Sequence, residues 1–116
     1  MAKPVYTLGQ IINRLDSGES WTTSHVTYAM PTSAFGTDVE RDGFVSMTAM
    51  MRGVAAEAFE LWDDLIAISL DPLLSGADIN MGYSTNTGGS TYTVPLTSGF
   101  LNGREVLTDA EIWLDP

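Results

Sequence analysis

The chain has 116 residues, the length of one small domain, and 44% of them are apolar, which is enough for a hydrophobic core. Fifteen acidic and five basic side chains give a formal net charge of −10, and that charge argues against binding to nucleic acid or to an anionic membrane surface. The absence of cysteine excludes disulfides and thiolate metal sites. We therefore expect one domain over residues 1–116, without nucleic-acid or membrane partners.

The first predicted element is a short helix over Leu8–Asp16. Thr7 and Gln10 have the three-residue spacing of a capping box, in which each side chain accepts from the backbone N–H group of the other residue. Ser17 and Gly18 are typical of a helix end. Four apolar residues fall on one face at helical spacing: Leu8, Ile11, Ile12 and Leu15.

The next segments predict a strand, a loop and a long helix. The β-prone run His25–Met30 precedes a proline and predicts a strand. Thr32–Gly43 contains few apolar residues and predicts a surface loop. Met47–Leu65 predicts a long amphipathic helix, whose start Ser46 or Thr48 can cap. Its apolar positions recur at helical spacing: Met51, Val54, Ala55, Ala58, Leu61, Trp62 and Leu65.

Four further apolar-rich segments, separated by turn-forming residues, predict four more strands: Ile66–Leu70, Ala77–Tyr83, Thr91–Val94 and Ala110–Leu114. Pro95 directly follows the third of these segments. Because proline cannot donate to a hydrogen-bonded ladder, we place this strand at an edge of the sheet. One long helix together with five strands indicates an α/β layer with a five-stranded sheet.

The residue types of the chain do not form a complete catalytic constellation. His25 is the single histidine, whereas a catalytic zinc takes three protein ligands, most often histidines. The neighbours Asp63 and Asp64 diverge by about 100° on a helix and do not form a catalytic pair. Three carboxylates alternate along the last predicted strand without the spacing of a calcium-binding motif: Asp109, Glu111 and Asp115. We therefore predict no catalytic residue and no metal ligand in this chain.

Taken in order, the segments resemble the N-terminal half of a metzincin catalytic domain of the serralysin group. The resemblance covers nearly the whole chain, and each segment matches one element of those proteases. The matched segments are the entry helix at Val5–Gln10, the first strand at Val26–Pro31, the long helix and second strand at Ala55–Ile68, the third strand at Ala77–Tyr83, the edge strand at Gly89–Pro95 and the fifth strand at Ala110–Leu114.

This resemblance implies a metzincin-like upper subdomain. Its sheet would be twisted, mixed and mostly parallel, with one antiparallel edge strand, one long packed helix and a short N-terminal helix. The implied activity is that of a secreted bacterial zinc-dependent metalloendopeptidase, with zinc and calcium in the complete enzyme. The zinc motif of the family, H-E-x-x-H-x-x-G-x-x-H, follows the fifth strand and has no counterpart in this sequence. The metal and the catalytic glutamate would therefore belong to a C-terminal remainder of the same protease.

The resemblance also implies where a peptide substrate binds. In these enzymes an extended peptide adds to the antiparallel edge strand through main-chain hydrogen bonds. The matching residues are Thr91, Tyr92, Thr93 and Val94. Two other classes of function remain open, namely a stand-alone module that captures peptides on a sheet edge and a structural or assembly protein.

We expect the chain alone to bind no catalytic zinc and to cleave no peptide, because one histidine and no cysteine cannot furnish a three-ligand site. Calorimetric titration with zinc and a casein digestion assay measure these two properties. Tight one-to-one zinc binding, together with cleavage that a chelator abolishes, would contradict this expectation.

Overall fold

The computed structural model describes residues 5–10, 19–36 and 38–116. Along these residues the strands are β1 (Glu19–Trp21), β2 (His25–Ala29), β3 (Phe44–Val45), β4 (Ser69–Pro72), β5 (Ile79–Ser84), β6 (Tyr92–Leu101) and β7 (Arg104–Leu114). Helix α1 (Val39–Asp42) lies between β2 and β3, and helix α2 (Ala49–Asp63) lies between β3 and β4. Within the described ranges, no helix has the length and apolar character needed to cross a membrane.

The strands form one sheet in which β7 and β5 are central. β7 pairs with β6 in antiparallel fashion along its length, so its other edge carries both β1 and β5, each in parallel. The far edge of β5 pairs first with β2 in parallel and then with β3 in antiparallel fashion. β4 pairs with β2 in parallel and ends the sheet. From one edge to the other the order is therefore β6, β7, β5, β2 and β4, with β1 in line with β5 and β3 in line with β2.

The predicted α/β layer with a mostly parallel sheet is confirmed, but the described sheet has seven strands and not five. The five predicted segments correspond to β2, β4, β5, β6 and β7, and the antiparallel edge strand is β6. The two additional strands, β1 and β3, are three and two residues long. Segments this short cannot show the alternation of apolar and polar residues that reveals a strand in a sequence.

β6 and β7 are longer than predicted because they form a single hairpin. β6 continues through Pro95 as far as Leu101, and β7 already begins at Arg104. The turn residues Asn102 and Gly103 have positive φ angles of 53° and 76°. A type I′ turn requires positive φ at both central residues, and Asn-Gly is the pair that provides it most readily. This dipeptide is the sequence signal that the strand prediction above leaves out.

One face of the sheet, the helix face, carries α2. Tyr28 of β2 stacks on Phe59 of α2 with ring centroids 4.2 Å apart, and both Tyr28 and Val26 are buried. The helix begins as predicted, because the hydroxyl of Thr48 accepts a hydrogen bond from the N–H group of Met51 at 3.2 Å. It contacts the sheet through a narrow strip of its surface, in which Ala55 is the buried residue.

The predicted packing of α2 needs a correction. Four apolar positions that we expected on its buried side are exposed by 55–76% in the described structure: Val54, Leu61, Trp62 and Leu65. Ala55, another of the predicted positions, is buried as expected, and the contact through Ala55 and Phe59 turns the other four away from the sheet. Helical periodicity identifies an apolar surface wide enough for more than one contact, but it does not tell which part of that surface packs.

The opposite face of the sheet, the loop face, carries an aromatic cluster that includes Phe35, from the segment before α1, and Phe44 of β3. Phe35 stacks on Trp113 of β7 with centroids 4.4 Å apart and meets Phe44 edge-on at 5.7 Å. Trp113 is completely buried. Gly82 of β5 lies under these rings, where a Cβ atom would be only 2.9 Å from Cε1 of Phe35. The absence of a side chain at this position therefore lets the aromatic cluster contact the sheet directly.

Two further local predictions can be compared with the structure. The capping box is confirmed, because the N–H group of Thr7 donates to Oε1 of Gln10 at 2.8 Å and the N–H group of Gln10 donates to Oγ1 of Thr7 at 3.2 Å. Residues 8–10 are helical, and the rest of the predicted N-terminal helix lies outside the described residues. The predicted loop Thr32–Gly43 contains α1, which at four residues is too short to show a periodic pattern.

Substituting alanine at two glycines should have opposite effects on stability. We expect Gly82→Ala to lower the free energy of unfolding by about 1–3 kcal/mol, because the new methyl group overpacks the Phe35 contact. Gly53→Ala is the matched control, because Gly53 lies within α2 with no atom within 4 Å of the added Cβ. It should raise that free energy by about 1 kcal/mol through helix propensity. Urea denaturation measures both, and equal stability of Gly82→Ala and the unchanged chain would contradict the packing described.

Candidate functional site

The predicted substrate-binding residues lie at the start of β6, an edge strand that pairs with β7 alone among the described strands. Tyr92, Thr93 and Val94 are its first three residues, whereas Thr91 precedes it. Thr91 and Thr93 are exposed, and Tyr92 and Val94 are half-buried. The prediction that these residues bind a substrate remains a prediction, but their position on an unpaired sheet edge meets its geometric requirement.

The backbone of Thr93 points away from β7 towards the open edge. The N–H group of Ala110 donates to the carbonyl of Asp78 at 2.8 Å, which directs Ala110 towards β5 and away from β6. Its partner on β6, Pro95, therefore occupies a pair without hydrogen bonds, as suits a residue that has no N–H group. Thr93 lies two residues earlier on the same side of the strand, opposite Ile112. Both its N–H and its C=O group are thus directed to a strand that could add here.

An apolar hollow adjoins this edge on the helix face, and we call it the apolar shelf. It encloses about 420 Å³ and is lined by Trp21, Ile79, Thr93, Pro95, Leu107, Ala110 and Ile112. These residues share one face because each strand pair aligns them: Ile79 and Pro95 both lie opposite Ala110, and Thr93 lies opposite Ile112. α2 packs elsewhere on this face, against β2 and β4, so the shelf is open in the described structure.

On the loop face, the first residue of β6 is bound to α1. The hydroxyl of Tyr92 donates a hydrogen bond to Oε1 of Glu40 at 2.6 Å. Glu40 is only 8% exposed. The hydrogen bond to Glu40 raises the pKa of Tyr92 to about 12, with burial and the charges of Glu40 and Glu111 acting in the same direction. The neutral phenol is therefore strongly favoured at this end of the strand.

The segment before β6 is held by two further hydrogen bonds, both to Asp115. Oγ1 of Thr91 accepts from the N–H group of Asp115 at 3.4 Å, and the carboxylate of Asp115 accepts from the hydroxyl of Thr87 at 2.8 Å. Between these contacts, Gly88 and Gly89 have positive φ angles of 70° and 83°, which suit glycine far better than other residues. The edge strand is thus entered through a glycine turn.

Glu111, which we considered for calcium binding, and Asp63, which we considered for a catalytic pair, both accept hydrogen bonds from other groups. Glu111 accepts from Nε1 of Trp113 at 2.9 Å, and Asp63 accepts from the N–H group of Leu70 at 2.7 Å. His25 lies 3.6 Å from Asp71, on strands remote from β6. Within the described ranges, no three histidine or carboxylate side chains are placed to hold a metal ion.

Sequence reasoning did not find Glu40 or the apolar shelf. Glu40 falls in a segment that reads as loop, and its contact with Tyr92 spans 52 residues of sequence. The shelf combines residues from four strands. Of these, β1 is not predicted from the sequence, and β6 and β7 are longer than the pattern indicates. The alternation Thr93–Pro95 and Ala110–Ile112 is a signal that predicts the shared face once the strand register is known.

The link between Tyr92 and Glu40 should make stability fall at high pH. The pKa of Tyr92 in the folded chain, about 12, is above the ordinary value of 10.0. The stabilisation of the fold by the neutral Tyr92 is therefore complete below pH 10 and is lost as the pH rises towards 12. In Glu40→Gln the charge is removed, the pKa of Tyr92 moves towards 10, and the loss becomes smaller. Urea midpoints over this pH range measure the effect, with Tyr92→Phe as the control that lacks the titrating group. Parallel pH profiles for the unchanged chain and Tyr92→Phe would contradict it.

Comparison with known proteins does not assign this chain to a family. The resemblance to the serralysin group therefore remains a hypothesis that rests on the order of the segments and on their residues. No protein-family model, no curated protein and no solved structure matches this chain.

Proposed function

We propose that this chain is the N-terminal part of a secreted zinc-dependent metalloendopeptidase and supplies the sheet and the substrate-binding edge strand of its active-site cleft. The observation that supports this most is the outward direction of the Thr93 backbone on an open edge strand. An extended peptide lying antiparallel to β6 would exchange hydrogen bonds with the N–H and C=O groups of Thr93. Such main-chain pairing holds a peptide in extended form whatever its side chains are, which is what an endopeptidase requires.

Among the described residues, no three histidine or carboxylate side chains are placed to hold zinc. In the proposed protease the zinc ligands and the catalytic glutamate would lie on a segment after residue 116, where zinc would supply Lewis-acid chemistry. The contribution of this chain is to bind and orient. It would place a peptide strand alongside β6, with the peptide backbone parallel to the sheet plane and next to the apolar shelf.

The apolar shelf agrees with a helix following β7. A helix with its side chains is about 10–12 Å wide and buries an apolar stripe. The shelf presents Ile79, Ala110 and Ile112 on the same face as α2, beside it, and close to the end of β7. A second helix could therefore lie next to α2 and cover these side chains. In the proposed protease this would be the helix of the zinc motif.

A second candidate is a non-enzymatic α/β module that binds peptides, or assembles with other chains, through the same edge. The observation in its favour is that the Thr93 edge needs no metal to pair with a peptide. The exposed apolar side chains on α2 and just after it would suit an assembly protein, in which another chain covers Val54, Leu61 and Leu65. The two candidates differ in whether a zinc motif belongs to the same protein.

The reading frame beyond residue 116 decides between them. The protease hypothesis expects H-E-x-x-H-x-x-G-x-x-H within a helix-length distance after Pro116, and casein cleavage by the encoded protein that a zinc chelator abolishes and added zinc restores. A glutamate-to-glutamine change in that motif is the matched control, since it keeps the metal ligands and removes the base. A reading frame without the motif would overturn the protease proposal and favour the binding or assembly module.

Two substitutions at Thr93 test the role of the edge strand. Thr93→Pro removes the outward N–H donor without breaking a ladder hydrogen bond, so the fold should survive with a cost well below about 3 kcal/mol. In the complete protease we expect kcat/KM on an extended peptide to fall by about tenfold or more. Thr93→Val keeps the backbone donor and the β preference, and it should change kcat/KM by less than about twofold.

Circular dichroism and urea denaturation serve as folding controls for both Thr93 variants. Undiminished cleavage by a correctly folded Thr93→Pro protein would show that this edge does not pair with the substrate. A loss of similar size in Thr93→Val would assign the effect to the side chain on the apolar shelf and contradict main-chain pairing.

A further inference from the structure

The start of β6 needs an anchor because the turn before it is permissive. Gly88 and Gly89 both adopt positive φ, and a Cβ atom at either would meet nothing within 4 Å. No neighbouring atom restricts these two glycines, although Thr87 and Thr91 on either side of them are hydrogen-bonded to Asp115. The start of β6 therefore depends on contacts beyond the turn, namely its pairing with β7, the bond of Thr91 to Asp115 and the bond of Tyr92 to Glu40.

Glu40 provides the side-chain contact to Tyr92, and its burial has an energetic cost. Its carboxylate is buried, Oε1 accepts the hydroxyl of Tyr92 at 2.6 Å, and Oε2 has no hydrogen-bond partner among the described residues. Burial of a carboxylate with an unsatisfied oxygen destabilises a fold. A hydrogen bond to a charged acceptor is about twice as strong as one between neutral groups. The buried carboxylate of Glu40 therefore binds Tyr92 strongly, although its burial lowers the stability of the fold.

The helix that carries Glu40 is itself tied to the sheet. The carbonyl of Glu40 accepts from the hydroxyl of Ser84, a fully buried residue at the end of β5, at 2.8 Å. Nδ2 of Asn86 donates to the carbonyl of Val39 at 2.7 Å, and the N–H group of Thr85 donates to the carbonyl of Gly43 at 2.9 Å. These hydrogen bonds fix α1 to the central strand β5. Because Glu40 of α1 also binds Tyr92, the start of β6 is held relative to β5.

We propose that Glu40 is a positioning residue that holds Tyr92, and thereby sets the start of β6 so that Thr93 presents its N–H and C=O groups to an extended peptide. The part of this inference that concerns peptides rests on the proposed function of the edge. Glu40 does not touch the peptide; it acts through Tyr92, whose side chain lies on the loop face while the backbone of the next residue lies at the open edge.

Amide hydrogen exchange in the chain itself tests the hold on β6. Ala110 faces β5, so its neighbour Glu111 faces β6, and Val94 opposite Glu111 is in a hydrogen-bonded pair. We expect exchange of the Val94 amide to become about fivefold faster in Tyr92→Phe, the factor of roughly one net hydrogen bond. Glu40→Gln should give a smaller increase. Tyr83→Phe is the matched control, because the Tyr83 hydroxyl has no hydrogen bond to the described residues, and it should leave Val94 unchanged.

Titration with an extended peptide of apolar and hydroxyl residues tests the consequence for binding. The shift of the Thr93 amide resonance reports the dissociation constant, which should rise about fivefold in Tyr92→Phe and stay unchanged in Tyr83→Phe. Unchanged exchange at Val94, or faster exchange with unchanged peptide affinity, overturns the positioning role of Glu40. If the unchanged chain shows no peptide-dependent shift at Thr93, the proposed function of the edge fails, while the exchange experiment still decides whether Glu40 holds the strand.

Discussion

The structure depends on β7 having partners on both of its edges. One edge pairs with β6 over the length of the hairpin, and the other pairs in succession with β1 and β5. Because hydrogen-bonding directions alternate along a strand, each residue of β7 can serve only one of these edges. Trp113, completely buried near the end of β7, fixes the strand against the aromatic side chains of the loop face. β1, β5 and β6 are all aligned by their pairing with β7.

The alternation of hydrogen-bonding directions also determines which backbone groups point outward on the open edge of β6. Since Ala110 is committed to β5, the opposite residue of β6 cannot be bound by it, and Pro95 occupies this position without loss. Thr93 then faces outward for the same reason. The apolar shelf arises from the complementary alternation of side chains, which gathers the residues of four strands on the helix face. The open backbone edge and the apolar shelf therefore follow from one strand register, and the first residue of β6 is hydrogen-bonded to Glu40.

The long patterned segments could be predicted from the sequence, and the short or long-range features could not. Helix α2, its cap at Thr48 and strands β2 and β5 follow from apolar spacing and capping residues. β1, β3 and α1 have too few residues to show a period. The extension of β6 and β7 depends on the turn at Asn102 and Gly103. This Asn-Gly pair is a local signal for a hairpin and can be recognised in the sequence. The bond between Glu40 and Tyr92 lies beyond local patterns, because only the folded sheet brings these residues together.

Pro95 makes the two outward positions of the open β6 edge different, because Thr93 offers an N–H donor and Pro95 does not. Next to the N–H group of Thr93, the following outward position offers a carbonyl and no donor. A strand that slid by two residues towards the hairpin tip would place its carbonyl against the proline ring and lose that hydrogen bond. Sheet edges with free donors along their length let added strands slip or recruit further copies. Here a single proline selects one alignment for any chain that pairs with β6, and it also protects the edge from indiscriminate growth of the sheet.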